Sequence, residues 1–161
     1  MLMTPQLQNP LNLNREFENS FFYQRGVSLG VFEEFGLGVS TTSSPIPNHL
    51  VNFPIFPVYD LNNNYVGFGV RPGLGGMKYN IQGFQKNKQL YGIHIAKPHI
   101  VSQDSVIITE GYFDVLLAHT YGYQNTVSCF GSSLSREQIL ILGSYTQNFQ
   151  LALDSDKSGV Q

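Results

Sequence analysis

Residues 106–114 read Val-Ile-Ile-Thr-Glu-Gly-Tyr-Phe-Asp, and residues 151–159 read Leu-Ala-Leu-Asp-Ser-Asp-Lys-Ser-Gly. Each is a short apolar run that stops on acid. Val106–Thr109 is rich in β-branched residues, as suits a buried strand, and Glu110 follows it. Phe149–Leu153 reads as another strand and leads into Asp154-Ser155-Asp156. Between them lie a helix-like stretch, Tyr112–Tyr121, a further apolar run, Thr126–Phe130, and a second helix. That helix starts at Ser135, where Gln138 completes a capping box and Leu134 and Ile139 occupy the positions of a hydrophobic staple; Gly143 stops it. The order β-α-β-α-β predicts a parallel sheet with right-handed crossovers.

Ligands of parallel sheets gather at the carboxyl ends of the strands. Glu110 and Asp154 are therefore expected at one edge, with Asp156 on the same tight loop as Asp154. Taken singly, each acid reads as a solvated turn residue. Together, three close carboxylates repel one another unless a cation lies between them. Mg²⁺, with Mn²⁺ as the alternative, takes oxygen ligands and shares them with substrate phosphates. Asp154–Gly159 also resembles the start of a calcium loop, but the distal Glu of such a loop is missing.

The charge distribution fits a phosphate-rich substrate beside a metal. Residues 1–103 hold seven Lys/Arg and five Asp/Glu, a balance of +2; residues 104–161 hold two and six, a balance of −4. From Arg71 to Lys97 there are five basic residues, Arg71, Lys78, Lys86, Lys88 and Lys97, and no acid. The net charge of −2 argues against nonspecific nucleic-acid binding by the whole surface. Cys129 is the only cysteine, which excludes an internal disulfide and a multi-cysteine zinc site, and the four histidines lack metal-site spacing. No apolar run is long enough to span a membrane and no secretory signal is apparent, so a cytoplasmic protein is expected.

Upstream, residues 1–14 read as a flexible tail. A helix is expected over Leu29–Phe35, a loop over Thr41–Asn48, and strands over Val51–Phe56 and Tyr65–Val70 around the turn Asn62-Asn63-Asn64. A glycine-rich stretch, Pro72–Gly76, precedes Met77-Lys78-Tyr79. The fold class is thus mixed α/β: a small α+β amino-terminal subdomain over 15–103, then a partial parallel-sheet α/β domain over 104–161.

The strand ending in Glu110-Gly-x-x-Asp114 and the later strand ending in Asp154-x-Asp156-x-x-Gly159 resemble the TOPRIM signature. The link Asn125–Gly131 followed by Ser132–Ser135 resembles the form found in bacterial and phage DnaG-type primases. So do Phe84–Ala96, the stretch Val66–Arg71 followed by Lys78-Tyr79-Asn80, and Arg25–Ser28 followed by Phe35–Gly38. The zinc-binding domain that usually precedes this core is not seen. The chain stops at Gln161, inside the expected TOPRIM fold, and Lys78 stands one residue closer to Asn80 than is usual.

This resemblance implies a primase catalytic core that synthesises RNA primers on single-stranded DNA from ribonucleoside triphosphates, in company with a replicative helicase. It implies Glu110 as general base or essential acid, and Glu110, Asp154 and Asp156 as holders of Mg²⁺ or Mn²⁺. Arg71, Lys78, Tyr79, Asn80 and Lys86 would contact nucleotide or nucleic acid, and Asp114 would support Glu110. A favourable charge at a helix start is the plainer account of Asp114. Core packing is the plainer account of Tyr91, and inert packing that of Cys129. Two other functions fit the motifs: a TOPRIM nuclease, and a non-catalytic piece that binds nucleic acid or a helicase. Nothing supplies the tyrosine context of a topoisomerase.

Overall fold

A computed structural model describes residues 9–71 and 80–154. They divide into two compact units, one of residues up to Pro57 with Gly67–Gln82, the other of Val58–Val66 with the residues from Gly83 onward.

The first unit opens with two short helices, α1 (Phe21–Gln24) and α2 (Leu29–Glu34). Both start on serine. The Ser20 hydroxyl accepts the Tyr23 N–H at 3.1 Å and the Ser28 hydroxyl accepts the Val31 N–H at 3.2 Å, each satisfying an otherwise unpaired helix donor. At the far end of α2 the Arg15 guanidinium donates to the carbonyls of Leu37 and Glu33, both at 3.1 Å. That charge sits where the helix exposes unpaired acceptors. Phe22, Phe32 and Phe56 form the aromatic centre, with Phe22 5.7 Å from Phe32 and 5.4 Å from Phe56 between ring centroids.

A four-stranded sheet runs in the order β1 (Gly38–Val39), β2 (Pro54–Tyr59), β3 (Tyr65–Val70), β4 (Asn80–Gln82). The β1–β2 and β3–β4 pairs are antiparallel. Strand β2 begins at Pro54, three residues later than the sequence suggests, because Asn48–Leu50 forms a 3₁₀ turn and Asn52 takes a positive φ. The tail expected over 1–14 does not reach its last residues. Leu11 and Leu13 are buried, and Asn14 exchanges backbone hydrogen bonds with Val39 at 2.9 Å.

The second unit is built on a parallel sheet in the order β6-β5-β7, with β5 (Val106–Thr109) between β6 (Thr126–Ser128) and β7 (Phe149–Ala152). Helices α3 (Ile93–Gln103), α4 (Tyr112–Thr120) and α5 (Arg136–Gly143) alternate with these strands. Ile93, Ala96 and Ile100 of α3 share one core with Val106, Ile108, Val127 and Leu142. Residues 93–103, expected within the amino-terminal subdomain and not read there as a helix, therefore form α3 and pack with the parallel sheet. The capping box at Ser135 forms as expected. The staple does not take its expected form: Leu134 packs against the core, but Ile139 is 45 % exposed, since the face of α5 bearing Leu142 takes the buried position.

Candidate active site

The register of the parallel sheet brings the acids together. Thr109 lies level with Ser128 on one side and Ala152 on the other. Glu110 thus leaves the central strand at the same edge at which β7 runs out toward Asp154. The Asp154 N–H donates to Glu110 Oε1 at 3.1 Å, so the two acid-bearing strand ends are joined directly. Glu110 is half-buried and Asp154 exposed.

The neighbouring strand end fixes the backbone of Glu110. Ser128 is fully buried, and its hydroxyl donates to the Glu110 carbonyl at 2.8 Å while accepting the Phe130 N–H at 3.1 Å. The Cys129 N–H donates to the Thr109 carbonyl at 3.1 Å. Phe130 then turns the chain away with a φ of 62°, a conformation a bulky side chain adopts only where the surroundings hold it. Here the ring is held among aromatic neighbours, 5.2 Å from Phe84 and 5.4 Å from Tyr112. Tyr91 packs edge-on to Tyr112 at 4.6 Å and is fully buried, as the core reading expects.

Burial pushes the Cys129 thiol above its ordinary pKa; its hydrogen bond to Gly131 opposes the shift, and the charge of Glu110 adds to it. A thiol held protonated is a poor nucleophile, so Cys129 is packing. Asp114 lies exposed in the first turn of α4, where a carboxylate favours the helix start.

The donor set suits a hard cation. Among the described residues no three His, Cys, Asp or Glu side chains gather as a metal cluster, and Asp156 lies outside those residues. Glu110 and Asp154 remain. Mg²⁺ commonly uses one or two carboxylates and takes its other ligands from water and substrate phosphates, so this pair fits such an ion.

The basic residues fall in both units. In the first, the guanidinium carbons of Arg71 and Arg25 lie 5.3 and 4.9 Å from the centre of the same Phe21 ring. Arg25, which the sequence does not single out as a site residue, shares this ring with Arg71 through a cation–π contact that only the fold reveals. In the second unit, Lys86 and Lys88 stand exposed on a 3₁₀ turn. Asn80 contributes its backbone to β4. Lys78 and Tyr79 lie outside the described residues, as do the glycines at 73, 75 and 76.

Residues 107–161 match the Toprim-like family. The DNA primase of Borreliella burgdorferi is 34 % identical over 157 residues, covering 94 % of this chain and 30 % of that protein. The chain spans less than a third of the length of the curated relatives heading these matches. A solved structure of the DnaG catalytic core superposes with a TM-score of 0.74 at 25 % identity, over 86 % of this chain and 55 % of that one. A structure of the DnaG primase catalytic domain bound to single-stranded DNA superposes with a TM-score of 0.71 at 24 % identity, over 86 % and 56 %. Among the described residues, no helix is long and apolar enough to cross a membrane.

Proposed function

The chain belongs to the bacterial DnaG-type primases and carries TOPRIM sequence, and from that premise we propose that it serves metal-dependent synthesis of RNA primers on single-stranded DNA. The observation that carries this reading is the hydrogen bond from the Asp154 N–H to the Glu110 carboxylate, which joins two acid-bearing strand ends at the ligand-binding edge of a parallel sheet. Glu110 and Asp154, with Asp156, would hold Mg²⁺ or Mn²⁺. When bound, the ion supplies polarisation of phosphate oxygens and offsets developing charge.

Glu110 is the residue assigned to deprotonate, or to orient, the attacking hydroxyl. Asp114 supports it from the first turn of α4. Arg71, Lys78, Tyr79, Asn80 and Lys86 are the assigned contacts to nucleotide and template, with Arg25 joining Arg71 at the Phe21 ring. A cation at each such contact lowers the cost of bringing a phosphate to it. Ribonucleoside triphosphates are the proposed substrates, and single-stranded DNA the template. A replicative helicase is the proposed protein partner, and the cytoplasm the proposed compartment.

The test is primer synthesis on a single-stranded DNA template with ribonucleotides and Mg²⁺ or Mn²⁺. Product is expected from the native chain and not from Glu110→Gln. Strand cleavage without nucleotide addition would instead assign a nuclease. Single-strand binding without either reaction would assign a non-catalytic piece.

A further inference from the structure

Gln138 is only 1 % exposed although its side chain is polar. Its Oε1 accepts the Ser135 N–H at 2.9 Å, the ordinary half of a capping box. Its Nε2 does something the box does not require. It donates to the carbonyls of Lys86 at 2.9 Å, Gln89 at 2.8 Å and Cys129 at 3.1 Å. Two N–H groups meet three acceptors, so one is shared. Beside it the Ser135 hydroxyl donates to the Asn87 carbonyl at 2.5 Å. Glutamate at position 138 would cap α5 equally well, but its carboxylate would face three carbonyls.

The turn held in this way is Lys86–Lys88, which has no side-chain cap of its own and carries two exposed lysines. The other end of the tether is Cys129, whose N–H is bonded to Thr109, the residue before Glu110. One buried amide therefore links the lysine turn to the segment beside the acidic strand end. All of these residues lie in the second unit.

We propose that Gln138 is a positioning residue for nucleic-acid binding: it docks the Lys86–Lys88 turn so that both ammonium groups meet the phosphates of a single strand held at the Glu110 edge. The proposal rests on the reading of Lys86 as a phosphate contact and extends that reading to Lys88, two residues on in the same exposed turn. A turn fixed before binding spares the ordering cost that a loose one incurs on association.

The experiment measures binding of a fluorescent oligo(dT) to the full chain by anisotropy across a salt series, alongside thermal melts. Lys86→Ala combined with Lys88→Ala is expected to weaken binding and to flatten the slope of log K against log salt by about 0.7 for each phosphate left without its cation. Gln138→Glu, with both lysines present, is expected to flatten it likewise. Adding the lysine replacements to Gln138→Glu then changes little. The deficit of Gln138→Glu narrows at acid pH, where a protonated carboxyl regains one donor, a response that plain loss of packing lacks.

If the lysine variant binds like the native chain, the phosphate-contact reading fails, and the proposal with it. If the lysine variant weakens binding but Gln138→Glu binds natively, or if the lysine effect persists in full on the Gln138→Glu background, the positioning role is overturned while the lysine reading stands. Should Gln138→Glu fail to fold, Ser135→Ala removes the second tether to Asn87. It is expected to lose part of the same lysine-dependent affinity, and an unchanged affinity would overturn the proposal.

Discussion

Replacing Ser128 by alanine removes one oxygen atom and should loosen the acidic edge of the parallel sheet. That oxygen spans two backbone groups, donating to the Glu110 carbonyl at 2.8 Å and accepting the Phe130 N–H at 3.1 Å, from a side chain with no solvent exposure. In the variant the buried Phe130 amide loses its partner, and an unsatisfied buried donor costs about 1–3 kcal/mol. The Glu110 carbonyl belongs to a half-buried residue that water can reach, so its loss adds less and the sum is about 2 kcal/mol. For a chain of this size that corresponds to a fall in Tm of about 4–8 °C. Because the same hydroxyl fixes the backbone that carries the Glu110 carboxylate, Mn²⁺ affinity should fall with it. Circular dichroism melts and a Mn²⁺ titration of Ser128→Ala measure the two effects. An unchanged Tm together with unchanged Mn²⁺ affinity would refute the role of Ser128 in holding this edge.

Acid should destabilise the protein through His94. Burial pushes this imidazole down to about 4, with the charge of His119 adding and that of Asp60 opposing. A base with a depressed folded pKa lets the unfolded chain take up the proton first. Stability is therefore full above about 6.5, falls as pH drops toward 4, and is lower by about 2 kcal/mol at pH 5; urea unfolding should show a smaller loss between pH 7 and pH 5 in His94→Gln, and an equal loss would exclude His94 as the cause. Gly38→Ala should destabilise the first unit by about 1–3 kcal/mol, because a Cβ there would lie 2.7 Å from both the Asn14 carbonyl oxygen and Leu13 Cβ; unchanged urea unfolding would contradict that close approach. Arg71→Ala should reduce the salt slope of single-strand binding by about 0.7, the signature of one phosphate fewer neutralised, and an unaltered slope would remove Arg71 from the interface.

Local pattern makes the parallel sheet readable. β-Branched runs ending on acid locate β5, and Ser135 with Gln138 locates the start of α5 to the residue. The start of β2 is misleading in the sequence because Val51–Phe53 is apolar enough for a strand; the 3₁₀ turn and the positive φ of Asn52 win there. Helix α3 is not legible as a helix, since Pro98 interrupts it, and the hydrophobic residues of Ile93–Gln103 do not say which sheet they cover. The meeting of Glu110 and Asp154 is legible from strand order alone. The grip of Ser128 on Glu110 is not, since the two residues are 18 apart and a serine in a buried strand carries no local signal. Gln138 is legible as a cap through its neighbour Ser135, but its three carbonyl partners are not, two of them lying 49 and 52 residues away. Arg25 and Arg71 meet on Phe21 only through the packing of the first unit.

The central claim is that Glu110 and Asp154 stand together as carboxylate ligands for a divalent ion. Mn²⁺ binding followed by electron paramagnetic resonance on the native chain, Glu110→Gln and Asp154→Asn tests it without requiring catalysis. The native chain is predicted to hold a site that each single replacement weakens by about tenfold or more, as when an ion gives up one of few anionic ligands. Equal Mn²⁺ affinity in all three proteins would contradict the claim.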